Sequence, residues 1–208
     1  MVEFSQGPRG ELTQKATLSG FKKELEEAAA ERVSEAEDYF NAAERDLLSN
    51  RYKDAANNYK KSINILPTMS AYLNLGISLI YVTDYLQAED ILISGIQIAR
   101  KKADQWYEGA FLGNIGSVYS LQAKVQDALA SYQAALKIHK QIGDPLGEAN
   151  DLASIGITYA MQGKNHESLY VLKKARTIYL KLGVIAPGLR IVQKIIKHLN
   201  NTMKRSFQ

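Results

Sequence analysis

The fold is decided by two adjacent stretches of sequence, residues 104–143 (DQWYEGAFLGNIGSVYSLQAKVQDALASYQAALKIHKQIG) and residues 144–183 (DPLGEANDLASIGITYAMQGKNHESLYVLKKARTIYLKLG). Aligned without a gap, they are identical at 12 of 40 positions. Most of the shared residues are glycine, small or apolar, and they recur at helical spacing. Because a stacked packing unit needs such residues, the sequence predicts a repeat architecture.

Each copy of the unit is predicted to be a pair of helices. In the second copy, Asp144 is a good N-cap and Pro145 fits the first helical position, where its missing N–H costs nothing. This predicts a first helix from about 145 to 161, which ends at Gly163, and a second from about 166 to 182, which ends at Gly183. Gly156 lies inside the first helix, which indicates a close approach of the neighbouring helix.

These residues resemble the tetratricopeptide repeat (TPR), whose signature is a bulky residue, Leu-Gly and Tyr in the first helix, and Ala, an aromatic, Ala and Pro in the second. The resemblance extends over four repeats, at about 36–68, 69–103, 104–143 and 144–183. It is carried by Tyr39, Tyr52, Ala55, Tyr59 and Pro67; Tyr72, Leu75, Gly76, Tyr85 and Ala88; Ile115, Gly116, Tyr119, Ala128, Tyr132 and Ala135; and Ile155, Gly156, Tyr159, Gly163 and Ala175.

The resemblance implies an all-α fold, a right-handed α-solenoid of about four TPR helix pairs. The 40-residue units are longer than the usual TPR period of about 34 residues. They are similar to the repeats of Leu-Gly-Asn-type scaffolds, kinesin light chain and bacterial TPR signalling proteins.

The flanks of the repeats predict one helix at each end. Residues 19–49 carry a continuous apolar stripe, which predicts a long N-terminal helix after a disordered tail over residues 1–16. After Pro187 an apolar face predicts a capping helix at about 186–203, and a helix seated in the solenoid groove, or docked on a membrane or a partner, is the alternative. Residues 17–208 are therefore expected to form a single TPR domain.

Composition excludes several functional classes. The chain of 208 residues contains no cysteine, which excludes disulfides, thiolate metal sites and cysteine nucleophiles. Residues 1–16 do not resemble a secretory leader and no apolar run reaches about 18 residues, so a cytoplasmic location is expected. No phosphate-binding loop or nucleophile elbow occurs, and the histidines, His139, His166 and His198, are expected to be surface or repeat-contact residues. The sequence thus predicts no catalytic site, no metal and no cofactor.

Charge is divided unevenly along the chain. Residues 1–56 carry 8 Lys/Arg against 12 Asp/Glu, whereas residues 164–208 carry 10 against 1, a net charge of +9. The basic end is either an ordinary solvated surface or a site for nucleic acid, an anionic membrane or an acidic protein.

In TPR proteins the first helix of each repeat lines a concave face, and the resemblance implies that a protein or peptide binds there. Asparagine occupies one concave position in three repeats, and its amide can donate to and accept from a peptide backbone at once. The predicted partner-binding residues are Asn41, Asn74, Asn114, Asn150, Ser154, Leu73, Ile77, Tyr81, Ser117, Leu121, Ile157 and Met161. Positions that form a carboxylate clamp for chaperone C-terminal tails in related domains hold Phe40, Glu44, Asn74, Ala110 and Asn114, of which Asn74 alone matches, so this partner is not expected.

The leading hypothesis is a non-catalytic adaptor or scaffold that binds a peptide or helix in the concave groove. Two alternatives remain open. One is a homo-oligomer that assembles through the acidic N-terminal helix and the basic C-terminal end. The other is a secretion-chaperone-like TPR protein, although those resemble this chain less because their repeats are usually 34 residues long.

Overall fold

The computed structural model describes residues 3–6, 12–15, 18–183 and 187–205, and it divides the chain into two compact units, Met1–Thr68 and Met69–Gln208. The boundary coincides with the predicted end of the first repeat. We call these unit 1 and unit 2.

The described residues form nine helices and a two-stranded ribbon. Their bounds are β1 Glu3–Gln6, β2 Leu12–Lys15, α1 Leu18–Leu48, α2 Tyr52–Ile65, α3 Met69–Tyr81, α4 Tyr85–Lys101, α5 Gln105–Leu121, α6 Val125–Ile142, α7 Pro145–Met161, α8 Asn165–Lys181 and α9 Pro187–Arg205. None of the described helices combines the length and the apolar character that a membrane crossing requires.

Unit 1 contains the β1–β2 ribbon and the α1–α2 pair. The strands are antiparallel, with Glu3 opposite Lys15, and lie within the segment for which the sequence predicts a disordered tail. Backbone pairing forms the ribbon, and the polar composition of this segment does not reveal it. The other residues of the predicted tail lie outside the described ones. In α1, Ala36 and Ala43 are buried, whereas residues 26–35 are all exposed.

Unit 2 consists of the helix pairs α3–α4, α5–α6 and α7–α8, followed by α9. The first helices of successive pairs are neighbours, and each second helix packs on the pair that follows, as in a stacked repeat. Interior glycines allow the two helices of a pair to approach closely. A Cβ at Gly116 would lie 2.7 Å from the Tyr132 ring, and one at Gly156 would lie 2.6 Å from Leu172. Large side chains therefore fill the space that glycine leaves.

The turns within unit 2 use a left-handed residue. Glycine takes this conformation at Gly143, Gly163 and Gly183, whereas Thr83 and Ala103 take it with φ of 63° and 54°. Ala123 does so as well, with φ of 60°. Glycine adopts these angles without strain, whereas residues with a Cβ do not.

Helix α9 caps the last pair. Leu189, Val192, Ile196 and Leu199 are buried in one core cluster with Leu172 and Tyr179 of α8 and with Ala149, Leu152 and Ala153 of α7. The helix thus lies where the first helix of a further repeat would lie, beside α7 and α8.

Candidate interaction face of unit 2

A cavity of about 340 Å³ lies between the N-terminal halves of α5 and α7. We call it the polar pocket. Its lining comes from α5, from the end of α6 and from the start of α7, and comprises Trp106, Gly109, Ala110, Gly113, Asn114, Ser117, His139, Asp144, Leu146, Gly147, Asn150, Asp151 and Ser154. Four of the predicted partner-binding residues therefore meet here, namely Asn114, Ser117, Asn150 and Ser154.

Hydrogen bonds orient the amides of the polar pocket. Asn114 Nδ2 donates to the Ala110 carbonyl oxygen at 2.8 Å through one of its two N–H groups, so the second N–H and Oδ1 can bond to a ligand. Asn150 Oδ1 accepts from the Tyr179 hydroxyl at 2.6 Å through one of its two lone pairs, so the second lone pair and Nδ2 can bond to a ligand. Each amide therefore keeps both a donor and an acceptor that a ligand can use.

A buried ion pair forms the floor of the polar pocket. His139 Nδ1 and Asp151 Oδ2 are 2.6 Å apart, and each side chain is 5% exposed. The hydrogen bond to Asp151 raises the pKa of His139, against the opposing effect of burial. Burial raises the pKa of Asp151, and the hydrogen bond from His139 acts in the opposite direction. The pair therefore links α6 to α7 through a buried hydrogen bond.

Tyr179 lies behind this pair. Its burial and the charge of Asp151 raise the pKa of its hydroxyl to about 12. Tyr132 donates to Ser117 Oγ at 3.2 Å, so this pocket hydroxyl is engaged with a tyrosine and not with His139. Among the side chains that the structure describes, no three of the His, Asp and Glu type converge as a metal ion requires.

Three glycines shape the walls of the polar pocket. A Cβ at Gly109 would lie 2.6 Å from His139 Nε2, and one at Gly147 would lie 2.6 Å from His139 Cγ. At Gly113 the nearest atom is Asp151 Oδ1, at 3.3 Å. Gly109 and Gly147 thus make room for the imidazole, whereas Gly113 lies beside the Asp151 carboxylate in the pocket wall.

The sequence analysis missed the His139–Asp151 pair, although the alignment of the two repeats contains a signal for it. His139 aligns with Tyr179, and Asp151 aligns with Phe111, and both aromatic residues are buried. A buried repeat position that changes from aromatic to titratable in one copy needs a polar partner. Two such changes in facing positions indicate a pair.

A second cavity, also of about 340 Å³, lies between the C-terminal halves of α7 and α9. We call it the apolar pocket, because most of its lining is aliphatic. It is lined by Ile157, Ala160, Met161, Asn165, Ile195, His198, Leu199 and Thr202. Two more predicted residues, Ile157 and Met161, therefore face a cavity, and Met161 is 67% exposed.

The remaining predicted residues lie outside both pockets. Tyr81 and Leu121 are exposed at the ends of α3 and α5, and Asn74 and Ile77 are half-buried on α3. Leu73 is buried, which corrects its assignment to a binding surface, because its side chain belongs to the core. Asn41 is exposed in unit 1.

Comparison with known proteins agrees with this architecture. Residues 107–181 match the tetratricopeptide repeat family. Two crystal structures, both described as Podosopora anserina kinesin light chain nearly identical TPR-like repeats, are similar in fold. One has a TM-score of 0.64 and 13% identity over 83% of this chain and 88% of that one. The other has a TM-score of 0.63 and 13% identity over 83% of this chain and 89% of that one.

The apo form of RapI is similar as well, with a TM-score of 0.64 and 15% identity over 84% of this chain and 54% of RapI. No curated protein matches the sequence. The tetratricopeptide repeat match thus covers α5–α8, and the stacked helix pairs of unit 2 have the fold of these repeat structures.

Proposed function

We propose that unit 2 is a non-catalytic protein-interaction module that binds a polypeptide segment along α7. The observation that carries the proposal is the pair of cavities that share this helix, one polar and one apolar. TPR folds generally mediate protein–protein interaction, which agrees with the proposal. An adaptor or scaffold role in the cytoplasm is part of the same proposal, and fractionation of the native cell tests the location.

The spacing of the pockets fits an extended segment. Asn150 and Ile157 are seven residues apart on α7, which corresponds to about 10 Å of helix, or about three residues of extended chain. Asn114 Oδ1 and Asn150 Nδ2 can then bond to the backbone of the segment, while an apolar side chain about three residues away enters the apolar pocket.

The proposal is tested by selecting peptides from a random display library against the full chain. We expect Asn114→Ala combined with Met161→Ser to weaken the selected peptides by about tenfold or more, because a hydrogen bond and an apolar contact are lost together. Leu180→Ser is the matched control, since Leu180 is an exposed apolar residue on α8, outside both pockets. Failure to select any peptide, or equal binding by all three proteins, contradicts the proposal.

A second candidate function is self-association, which two stripes of like charge favour. On α1 the exposed residues Glu27, Glu31, Glu35 and Asp38 follow one another at steps of four, four and three, and so share one helix face. On α9 the exposed residues Arg190, Lys194 and Lys197 do the same. Like charges four residues apart destabilise a helix by about 0.2–0.5 kcal/mol for each pair. Contact between α1 of one copy and α9 of a second copy would offset this repulsion. The test is the oligomeric state at low and high salt.

A further inference from the structure

We infer that the polar pocket receives a basic side chain, lysine or arginine, of the bound segment. The inference rests on the proposed function and names the chemical group that this half of the site selects. Three observations support it. Oxygen acceptors line the pocket, an aromatic side chain lies at its mouth, and the neighbouring positive groups are already paired with acidic side chains.

The acceptors come from two carboxylates and one amide. Asp151 is 4% exposed, and its hydrogen bond is made at Oδ2, while Oδ1 lies 3.3 Å from the Cβ position of Gly113 in the pocket wall. Asp144 lies close enough that its charge raises the pKa of Asp151. Asn114 Oδ1 has two lone pairs, so it can accept from the basic side chain as well as from the backbone of the segment. Three oxygen acceptors match the several N–H donors of an ammonium or a guanidinium group.

Trp106 lies at the mouth of the polar pocket and is 48% exposed. Indole is the best aromatic partner for a cation, and the interaction contributes more where water is excluded. Leu146 also lines the pocket and is 41% exposed, so it can contact the aliphatic stem of a lysine or an arginine. The mouth thus suits a long side chain with an apolar stem and a charged tip.

The positive groups near the pocket already have acidic partners. His139 is paired with Asp151, and the charge of Asp144 also favours the protonated imidazole, so two carboxylates stand against one imidazole. The backbone N–H groups of Leu146 and Gly147, at the positive end of α7, donate to Asp144 at 3.1 and 3.0 Å. Lys140 Nζ lies 3.7 Å from Glu148. The pocket therefore keeps a negative charge that favours a cation over an anion.

The experiment uses the single tryptophan of the chain, which gives a single indole N–H signal in a ¹H–¹⁵N NMR spectrum of the full-length protein. The probes are Nα-acetyl-arginine amide and Nα-acetyl-lysine amide, compared with Nα-acetyl-glutamine amide and Nα-acetyl-glutamate amide at equal ionic strength. We expect a saturable shift of the Trp106 signal with the two basic amides, and binding about tenfold weaker for the other two, since charge-assisted hydrogen bonds are lost.

Two variants locate the effect in the polar pocket. Asp144→Asn keeps an N-cap side chain and removes the charge, so it should weaken the basic amides by about tenfold. Gly113→Ala places a methyl group beside Asp151 Oδ1 and should abolish their binding. Asp84→Asn is the matched control, because Asp84 caps α4 in the same way and is remote from the pocket lining. Its binding should equal that of the wild type.

An indole signal that stays still with the basic amides, or that moves equally with glutamine amide, overturns the inference. So does full binding by Gly113→Ala with native helicity. These results leave the proposed function standing if library peptides still bind, and a selection that yields no peptide contradicts the proposed function itself.

Discussion

Gly109 and Gly113 lie one turn apart on α5 and face the same ion pair, but they differ in the space beside them. A Cβ at Gly109 would meet His139 Nε2 at 2.6 Å, which forces the buried imidazole to move. We therefore expect Gly109→Ala to lower the free energy of unfolding by about 1–3 kcal/mol, as overpacking does. Urea unfolding followed by circular dichroism measures the change.

Gly113→Ala is the matched comparison for that prediction. Its Cβ meets only Asp151 Oδ1, at 3.3 Å, and alanine improves helix propensity by about 1 kcal/mol. The two effects oppose each other, so the unfolding free energy should stay within about 1 kcal/mol of the wild-type value. A Gly109→Ala protein as stable as Gly113→Ala would contradict the tight packing of His139.

The buried histidine makes the stability of unit 2 depend on pH. The hydrogen bond to Asp151 raises the pKa of His139 above its ordinary value of 6.5, and the charge of Asp144 acts in the same direction. The stabilisation is fully present below pH 6.5, where both states are protonated, and is lost as the pH rises through the raised pKa of the folded protein. We expect the urea midpoint to fall over this interval.

His139→Gln is the control, because glutamine does not titrate. In that variant the slope of the urea midpoint against pH above 6.5 should flatten. Tyr179, which also faces Asp151, has a pKa of about 12 and does not titrate in this range. An unchanged slope would show that the pH dependence has another origin.

At the scale of the element, α9 shows how one helix face completes the core. Ile196 is buried against α7 and α8, whereas Ile191 on the same helix is 49% exposed. Ile196→Ala should lower the unfolding free energy by about 2–5 kcal/mol, the cost of a buried cavity. Ile191→Ala should change it by less than about 0.5 kcal/mol. Thermal unfolding distinguishes the two, and equal losses would contradict the packing of α9.

Local signals in the sequence predicted the helices of unit 2. The Asp144 cap, Pro145 and Gly163 gave a helix from 145 to 161, which is the range of α7, and the second helix of that repeat begins at Asn165, one residue before the prediction. These signals act over a few residues, so one sequence contains them. The β1–β2 ribbon and the division at Thr68 depend on contacts between distant residues, which helical periodicity does not report.

The candidate site was predicted less completely than the fold. Repeat position alone brought Asn114, Ser117, Asn150 and Ser154 to one surface, where they line the same cavity. The same rule placed Leu73 on that surface, but the packing around α3 buries it. The His139–Asp151 pair escaped because each residue departs from its own repeat. Their contact, 2.6 Å across two helices, explains both departures together.

At the scale of the whole molecule, the two charged stripes predict salt-dependent association of two copies. Four acidic side chains on α1 and three basic ones on α9 are exposed at matching spacing. We expect dimers at about 0.01 M salt and monomers at about 1 M, where the Debye length falls from about 30 to about 3 Å. Light scattering after size-exclusion chromatography measures the mass.

Charge exchange makes this prediction specific to the stripes. Glu31→Lys with Glu35→Lys, and separately Arg190→Glu with Lys194→Glu, should each give monomers, and a mixture of the two proteins should associate again. Lys101→Glu with Lys137→Glu changes two exposed lysines of α4 and α6 and serves as the control. Monomeric wild type at low salt excludes self-association. If that monomer binds anionic vesicles or nucleic acid, the basic stripe serves another partner.

The left-handed turns differ between the two helices that wall the polar pocket. Ala103 and Ala123 hold strained angles on both sides of α5, whereas Gly143 and Gly163, on both sides of α7, hold theirs without strain. A strained residue of this kind stores about 1 kcal/mol or more, which local unfolding releases. We therefore expect α5, the pocket wall that carries Trp106, to unfold locally more readily than α7. Native-state hydrogen exchange should be faster in α5 than in α7, and a bound segment should slow α5 most.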